Sequence, residues 1–154
     1  MTEAQIQRDL FLFFGRKKGG KKAKLMIDCA YVFEGWESDF LVLNSSEYYL
    51  EYEIKVNKYD YAADFKKTDR HKCLSGKIAC RKPNRFYYIT PANMIDPKDV
   101  PVYAGLWWYF PEEKSYPNRF VEIKPAPFLH KTKMNLFKEL CVKFYYKYLN
   151  ARKK

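Results

Sequence analysis

The sequence predicts one mixed α/β domain, a central sheet flanked by helices. Three observations carry that expectation. The chain has 154 residues, the size of a single domain spanning residues 1–154. Hydrophobic residues make up 47% of it, and a domain of this size buries roughly 70% of its unfolded surface without needing staples. The apolar period also switches repeatedly: helical at 2–15, strand-like at 25–56, helical at 57–72, strand-like at 86–124 and helical from 132 onward.

The first helix has Thr2 as a suitable N-cap and Glu3 in its first turn, where an acid complements the helix dipole. Ile6, Leu10 and Phe13 fall on one face, and Gly15 can end the helix. Arg16 to Lys24 follows as a basic loop, either a solvated tip or a phosphate-binding finger. "LMIDCAYVFEGW" reads as a strand turning at Glu34-Gly35, and "SDFLVLN" as a second strand. Asn44, Ser45 and Ser46 form a turn into "YYLEYEIKV". Here Glu51, Glu53 and Lys55 alternate against Leu50, Tyr52, Ile54 and Val56. Short turns make these three strands an antiparallel meander.

Asn57 then caps a helix, with Asp60 in place of the usual glutamate of a capping box. Tyr61 and Phe65 share its inner face, while Lys66, Lys67 and Arg70 share its exposed one. Residues 73–85 form a basic loop. "RFYYIT", "VYAGLWWYF" and "RFVEIK" are further strands, the last an edge strand followed by Pro125 and Pro127. Trp107 and Trp108 must face opposite ways on a strand, so one of them is expected at the surface. "TKMNLFKELCVKFYYKYLNARKK" is a long amphipathic helix with an apolar stripe at Met134, Phe137, Cys141, Phe144 and Tyr148.

The formal net charge is +11, from 29 Lys plus Arg against 18 Asp plus Glu, which points to a polyanionic partner. The bases are scattered rather than set along one amphipathic helix, which argues against a membrane surface. Residues 1–14 lack a basic leader, and no apolar run reaches membrane-spanning length, so a cytoplasmic protein is expected. Cys29, Cys73, Cys80 and Cys141 form no CxxC pair and are expected as reduced thiols. His71, Cys73 and Cys80 lack the paired spacing of a zinc site.

The chemistry concentrates at Asp39, Glu53 and Lys55. Position 46 is midway between 39 and 53 and falls inside the hairpin turn, so the two acids are expected opposite each other. Cross-strand β-carbons lie roughly 4.5–5.5 Å apart. Two carboxylates that close need a proton or, better, a divalent cation between them. Lys55 shares the face of Glu53, where an ammonium can orient water or meet the charge that develops on a phosphorane. The competing reading is a ladder of surface ion pairs. Glu122-Ile123-Lys124 repeats the same triplet without an acid-bearing strand hairpinned before it, and that copy reads as plain edge strand.

An acid on one strand, Glu-x-Lys on the next, a helix after them and an acid-bearing helix before them resemble the PD-(D/E)xK nuclease superfamily. "ESDFLVLN…YLEYEIKVNKYDYAADFKK" and "PNRFYYITPANMI…VPVYAGL" are similar to small bacterial and phage proteins near the MmcB-like DNA-repair branch. The likeness covers roughly residues 1–130, and Ser38 stands where the motif has proline.

The resemblance implies a restriction-endonuclease-like core of helix, three-stranded antiparallel meander, helix and further strands, followed by a C-terminal helix. It implies an Mg²⁺- or Mn²⁺-dependent nuclease hydrolysing DNA phosphodiesters, an endonuclease of low sequence specificity in DNA repair, recombination or phage DNA processing. Asp39, Glu53 and the backbone carbonyl of Ile54 would bind the metal, and Lys55 would position the attacking water. Glu3 resembles the helical acid some members add to the metal site, a role that stands beside its dipole role. Glu51 is expected in solvent or as an acceptor behind the metal ligands, and Asp60 as a cap. Lys58, Lys66, Lys67 and Arg70 are the expected phosphate contacts, and a homodimer is compatible with the family. The alternatives are a non-catalytic nucleic-acid binder or a phage accessory interaction protein on the same fold.

Overall fold

The computed structural model describes residues 1–15, 22–33 and 35–154 and has the expected mixed α/β architecture. Most of the basic loop, residues 16–21, and the turn residue Glu34 lie outside the described residues. Helix α1 (Glu3–Gly15) leads into β1 (Leu25–Ala30), β2 (Ser38–Leu43) and β3 (Tyr49–Ile54). Two short helices follow, α2 (Lys58–Asp64) and α3 (Thr68–Leu74), then β4 (Arg85–Pro91), β5 (Ala104–Tyr109), β6 (Phe120–Lys124) and α4 (Phe137–Arg152).

The six strands form one sheet in sequence order. β1, β2 and β3 are the antiparallel meander. β4 and β5 continue parallel to β3, and β6 returns antiparallel at the edge, as its prolines require. A parallel neighbour needs a crossover, and α2 and α3 supply it between β3 and β4.

Both faces of the sheet are covered. Ile6, Leu10, Phe13 and Phe14 of α1 pack on Phe40, Val42, Tyr52 and Ile54. Tyr61, Cys73 and Leu74 of α2 and α3 pack on Leu41, Phe86 and Tyr88 on the other side. Neither Trp107 nor Trp108 is exposed, because both of their faces are covered. Asp9, fully buried in α1, accepts hydrogen bonds from Tyr109 Oη and Arg119 Nη1, each at 2.7 Å, and so anchors the helix to distant β5 and the turn before β6.

Three other expectations are corrected. The helix read over 57–72 breaks after Asp64: Asn57 caps it through the Asp60 amide at 2.8 Å, but Phe65–Lys67 leaves helical geometry before α3 starts at Thr68. Cys73 and Cys80 are not separate thiols. The turn through Gly76 (φ +80°) brings them together as a disulfide with Cα atoms 5.8 Å apart, while Cys29 and Cys141 remain free.

The last helix begins at Phe137 rather than Thr132. It reaches the core through Leu136 and Leu140, and the next positions on that side are Lys143 and Lys147. The apolar stripe read from the sequence therefore faces outward at Phe137, Cys141, Phe144 and Tyr148. Among the described residues, no helix is long and apolar enough to cross a membrane.

Candidate functional site

The site is assembled where β3 ends and the chain leaves for α2, at the carboxyl end of a parallel strand, where open α/β sheets place their ligand crevices. The last β2–β3 ladder pair is Phe40 with Tyr52. One step further in the same register sets Asp39 opposite Glu53. Asp39 Oδ2 accepts the Ile54 amide at 2.8 Å, which fixes its carboxylate against the end of β3. Its Oδ1 has no hydrogen bond among the described residues.

Burial, then the charge of Glu53, pushes the Asp39 carboxyl up to about 7. The Ile54 amide and Lys55 oppose this rise, and Glu3 adds to it. Glu3, on the first turn of α1, is likewise raised by burial and then by Glu53. The three acids therefore feel one another, as the spacing of positions 39 and 53 predicts.

Glu53 is 1% exposed and fully engaged. Its Oε1 meets Lys55 Nζ at 2.7 Å, and its Oε2 meets Arg70 Nη1 at 2.8 Å. Lys55 Nζ also lies 3.2 Å from Asp64 Oδ1. Burial lowers the Lys55 ammonium, but Glu53, Asp64 and Asp39 together raise it above its ordinary range, so its proton is held at neutral pH.

Arg70 also bonds Asp64 and is 4% exposed. It is not on the exposed face the helical pattern suggested. The break after Asp64 rotates α3, so that Arg70 turns inward between two buried carboxylates, and each would be costly without it. Of the expected phosphate contacts, Lys58 and Lys66 are exposed. Lys67, with 54% of its side chain exposed, stands at the site itself, 3.2 Å from Asp64 Oδ1 and 3.5 Å from Glu53 Oε1. A cleft of about 270 Å³ opens here, lined by Glu3, Lys55, Asp60, Asp64 and Lys67 among others.

Asp64 is the site residue that sequence reasoning missed. It is 1% exposed, accepts Tyr88 Oη at 2.8 Å and lies 3.2 Å from His71 Nε2. Burial opposes its ionisation, yet His71, Arg70, Lys55 and Tyr88 hold its carboxyl far below the usual range. Its only sequence signal is its position one turn after Asp60 on a helix that follows the Glu-x-Lys strand. His71 is also part of this cluster and contacts Tyr103 Oη.

Glu51 is not in solvent but is a buried acceptor. It is 0% exposed, and its Oε1 accepts Trp36 Nε1 at 2.8 Å. Burial, then Glu53, pushes it up to about 8, against the pull of Arg70 and Trp36. Burial thus favours its neutral, protonated form. Gln7 braces the N-terminal side of the site, donating from Nε2 to Asp39 O at 3.0 Å and Glu3 Oε1 at 3.1 Å.

Among the described residues, no group of three or more His, Cys, Asp or Glu side chains is placed to hold a metal ion. Asp39 and Glu53 approach each other here, and both Glu53 oxygens are already held by Lys55 and Arg70.

No family model matches the chain, and no curated protein matches it. Among solved structures, it is similar to SPO1766, a protein of unknown function from Silicibacter pomeroyi, with a TM-score of 0.54 and 12% identity over 83% of this chain and 75% of that one. At that identity the likeness concerns the fold alone.

Proposed function

We propose that the protein is a divalent-metal-dependent nuclease that hydrolyses DNA phosphodiesters on a restriction-endonuclease-like core. The observation that carries this reading is the in-register approach of Asp39 to Glu53 with Lys55 beside them. The +11 net charge supports a polyanionic substrate. The raised Asp39 carboxyl fits a cation, because two buried acids held together repel until positive charge is shared between them. Asp39 and Glu53 would hold the ion, with the Ile54 carbonyl as a further donor and Glu3 in reach of it. When bound, such an ion supplies Lewis-acid polarisation of the phosphate.

The chain's own groups do the rest. Lys55 keeps its proton, so it acts as a charged hydrogen-bond donor to water or to the developing phosphorane, not as a base. Arg70 and Asp64 fix the Glu53 carboxylate. Lys67, exposed at the cleft, is placed to grip a phosphate.

Supercoiled plasmid and single-stranded circles incubated with Mg²⁺ or Mn²⁺ test the reading. Cleavage by the native protein, abolished by EDTA and reduced at least about 100-fold in Asp39→Ala and Lys55→Ala, is the expected result. Cleavage that survives in both variants would sink it. A second reading, a non-catalytic nucleic-acid binder on this fold, is favoured by one observation: both Glu53 oxygens are already taken by Lys55 and Arg70. It predicts oligonucleotide binding without metal-dependent cleavage.

A further inference from the structure

Helix α4 carries its rings outward. Phe144 is 39% exposed, Tyr145 59%, Tyr146 58% and Tyr148 62%. Lys138 and Arg152, exposed on the same helix and each seven positions from Tyr145, stand beside them. The helix has one acid, Glu139, already engaged by Arg81 at 2.9 Å. The result is flat apolar surface set in positive charge.

The helix adjoins the candidate site through its core-facing side. Lys147 Nζ lies 3.3 Å from Asp28 Oδ1 on the edge strand β1. The next residue, Cys29, places Sγ 3.3 Å from Gln7 Nε2, the amide that reaches Asp39 and Glu3.

We infer that α4 is a stacking platform that holds single-stranded nucleic acid beside the Asp39–Glu53 site. The inference deepens the nuclease reading and rests on it for the class of substrate. A single strand offers both things this face can use: unstacked bases for the rings and phosphates for the side chains of Lys138 and Arg152. A duplex keeps its bases stacked inside and leaves the rings without a partner. A second copy would bring Lys138 and Arg152 against like charges along the same stripe. A lipid surface would be met by hydroxyl-bearing tyrosines where an inserting helix presents Leu, Phe or Trp.

Fluorescence anisotropy in EDTA tests this with a labelled oligothymidylate of about 20 nucleotides and a duplex of the same length. Expected is tighter binding of the single strand, with a loss of roughly tenfold or more in Tyr145→Ala/Tyr148→Ala. Tyr145→Phe/Tyr148→Phe keeps the rings and should keep the affinity. Both pairs are at exposed positions, and unchanged circular dichroism checks that they fold. Any of four results overturns the platform: unchanged affinity in the alanine pair, equal or tighter duplex binding, phosphatidylserine vesicles bound in preference to the oligonucleotide, or a native dimer that the alanine pair dissociates. Because binding is read without metal, the two ideas fail separately. Tyrosine-dependent binding without cleavage in Mg²⁺ sinks the nuclease reading and upholds the platform. Cleavage with tyrosine-independent binding does the reverse.

Discussion

The Ile54 amide donates to Asp39 Oδ2 at 2.8 Å, so the first acid of the site is tied to the residue that separates Glu53 from Lys55. The hairpin therefore sets the distance between the two acids through backbone as well as side chains.

On the nuclease reading, a proton and a cation would compete for Asp39. Its folded carboxyl titrates at about 7, above the ordinary 3.8, so the stability it contributes is complete below 3.8 and is lost as pH rises through about 7. Cation binding relieves that loss. Calorimetric Mn²⁺ affinity should rise up to about tenfold per pH unit below neutrality and level off above it. Asp39→Asn should remove the dependence, and an affinity flat across this range in the native protein would refute the assignment.

Glu51 carries a similar sign without any ligand. Its folded carboxyl sits at about 8 against an ordinary 4.5, so its contribution declines as pH climbs from 4.5 through about 8. Glu51→Gln keeps the hydrogen bond to Trp36 and cannot ionise. Thermal melts should show a higher Tm for the variant at alkaline pH, by about 2–4 °C per kcal/mol recovered. The two proteins should converge in acid, and a variant less stable at every pH would contradict this.

Arg70 holds two buried carboxylates, so its removal leaves both short of a partner. Arg70→Met should cost about 3–5 kcal/mol in urea unfolding. Lys67→Ala, on a half-exposed side chain, should barely move stability while weakening oligonucleotide binding severalfold. Equal small effects from both would show that Arg70 is not the clamp.

Gly105 in β5 is held by contact. A methyl group there would lie 2.5 Å from Tyr87 Cδ1 and 2.7 Å from Ala126 N. Gly105→Ala should destabilise by about 1–3 kcal/mol, read from the denaturation midpoint, and a neutral result would mean the Pro125–Pro127 segment can retreat.

The meander and the approach of Asp39 to Glu53 were legible because strand alternation and one turn determine register arithmetically. The edge position of β6 was legible from its prolines. Arg70 was not, because its inward turn depends on the break at Phe65–Lys67, which no glycine or proline announces. The burial of Glu51 was hidden for a related reason: strand alternation says which residues share a face, but not that α2 and α3 cover it. The direction of α4 also escaped the pattern. Its best apolar stripe is the exposed one, and Leu136 and Leu140 alone decide which side meets the core.

The Asp9 anchor has a consequence for synthesis. Its partners Tyr109 and Arg119 follow it by 100 and 110 positions. At translation rates of about 5–20 residues per second, α1 leaves the ribosome roughly 5–20 seconds before either partner exists. Throughout that interval Ile6, Leu10, Phe13 and Phe14 have no completed surface to bury against. The nascent chain is then a natural client for a holding chaperone, and slowed translation should increase its aggregation.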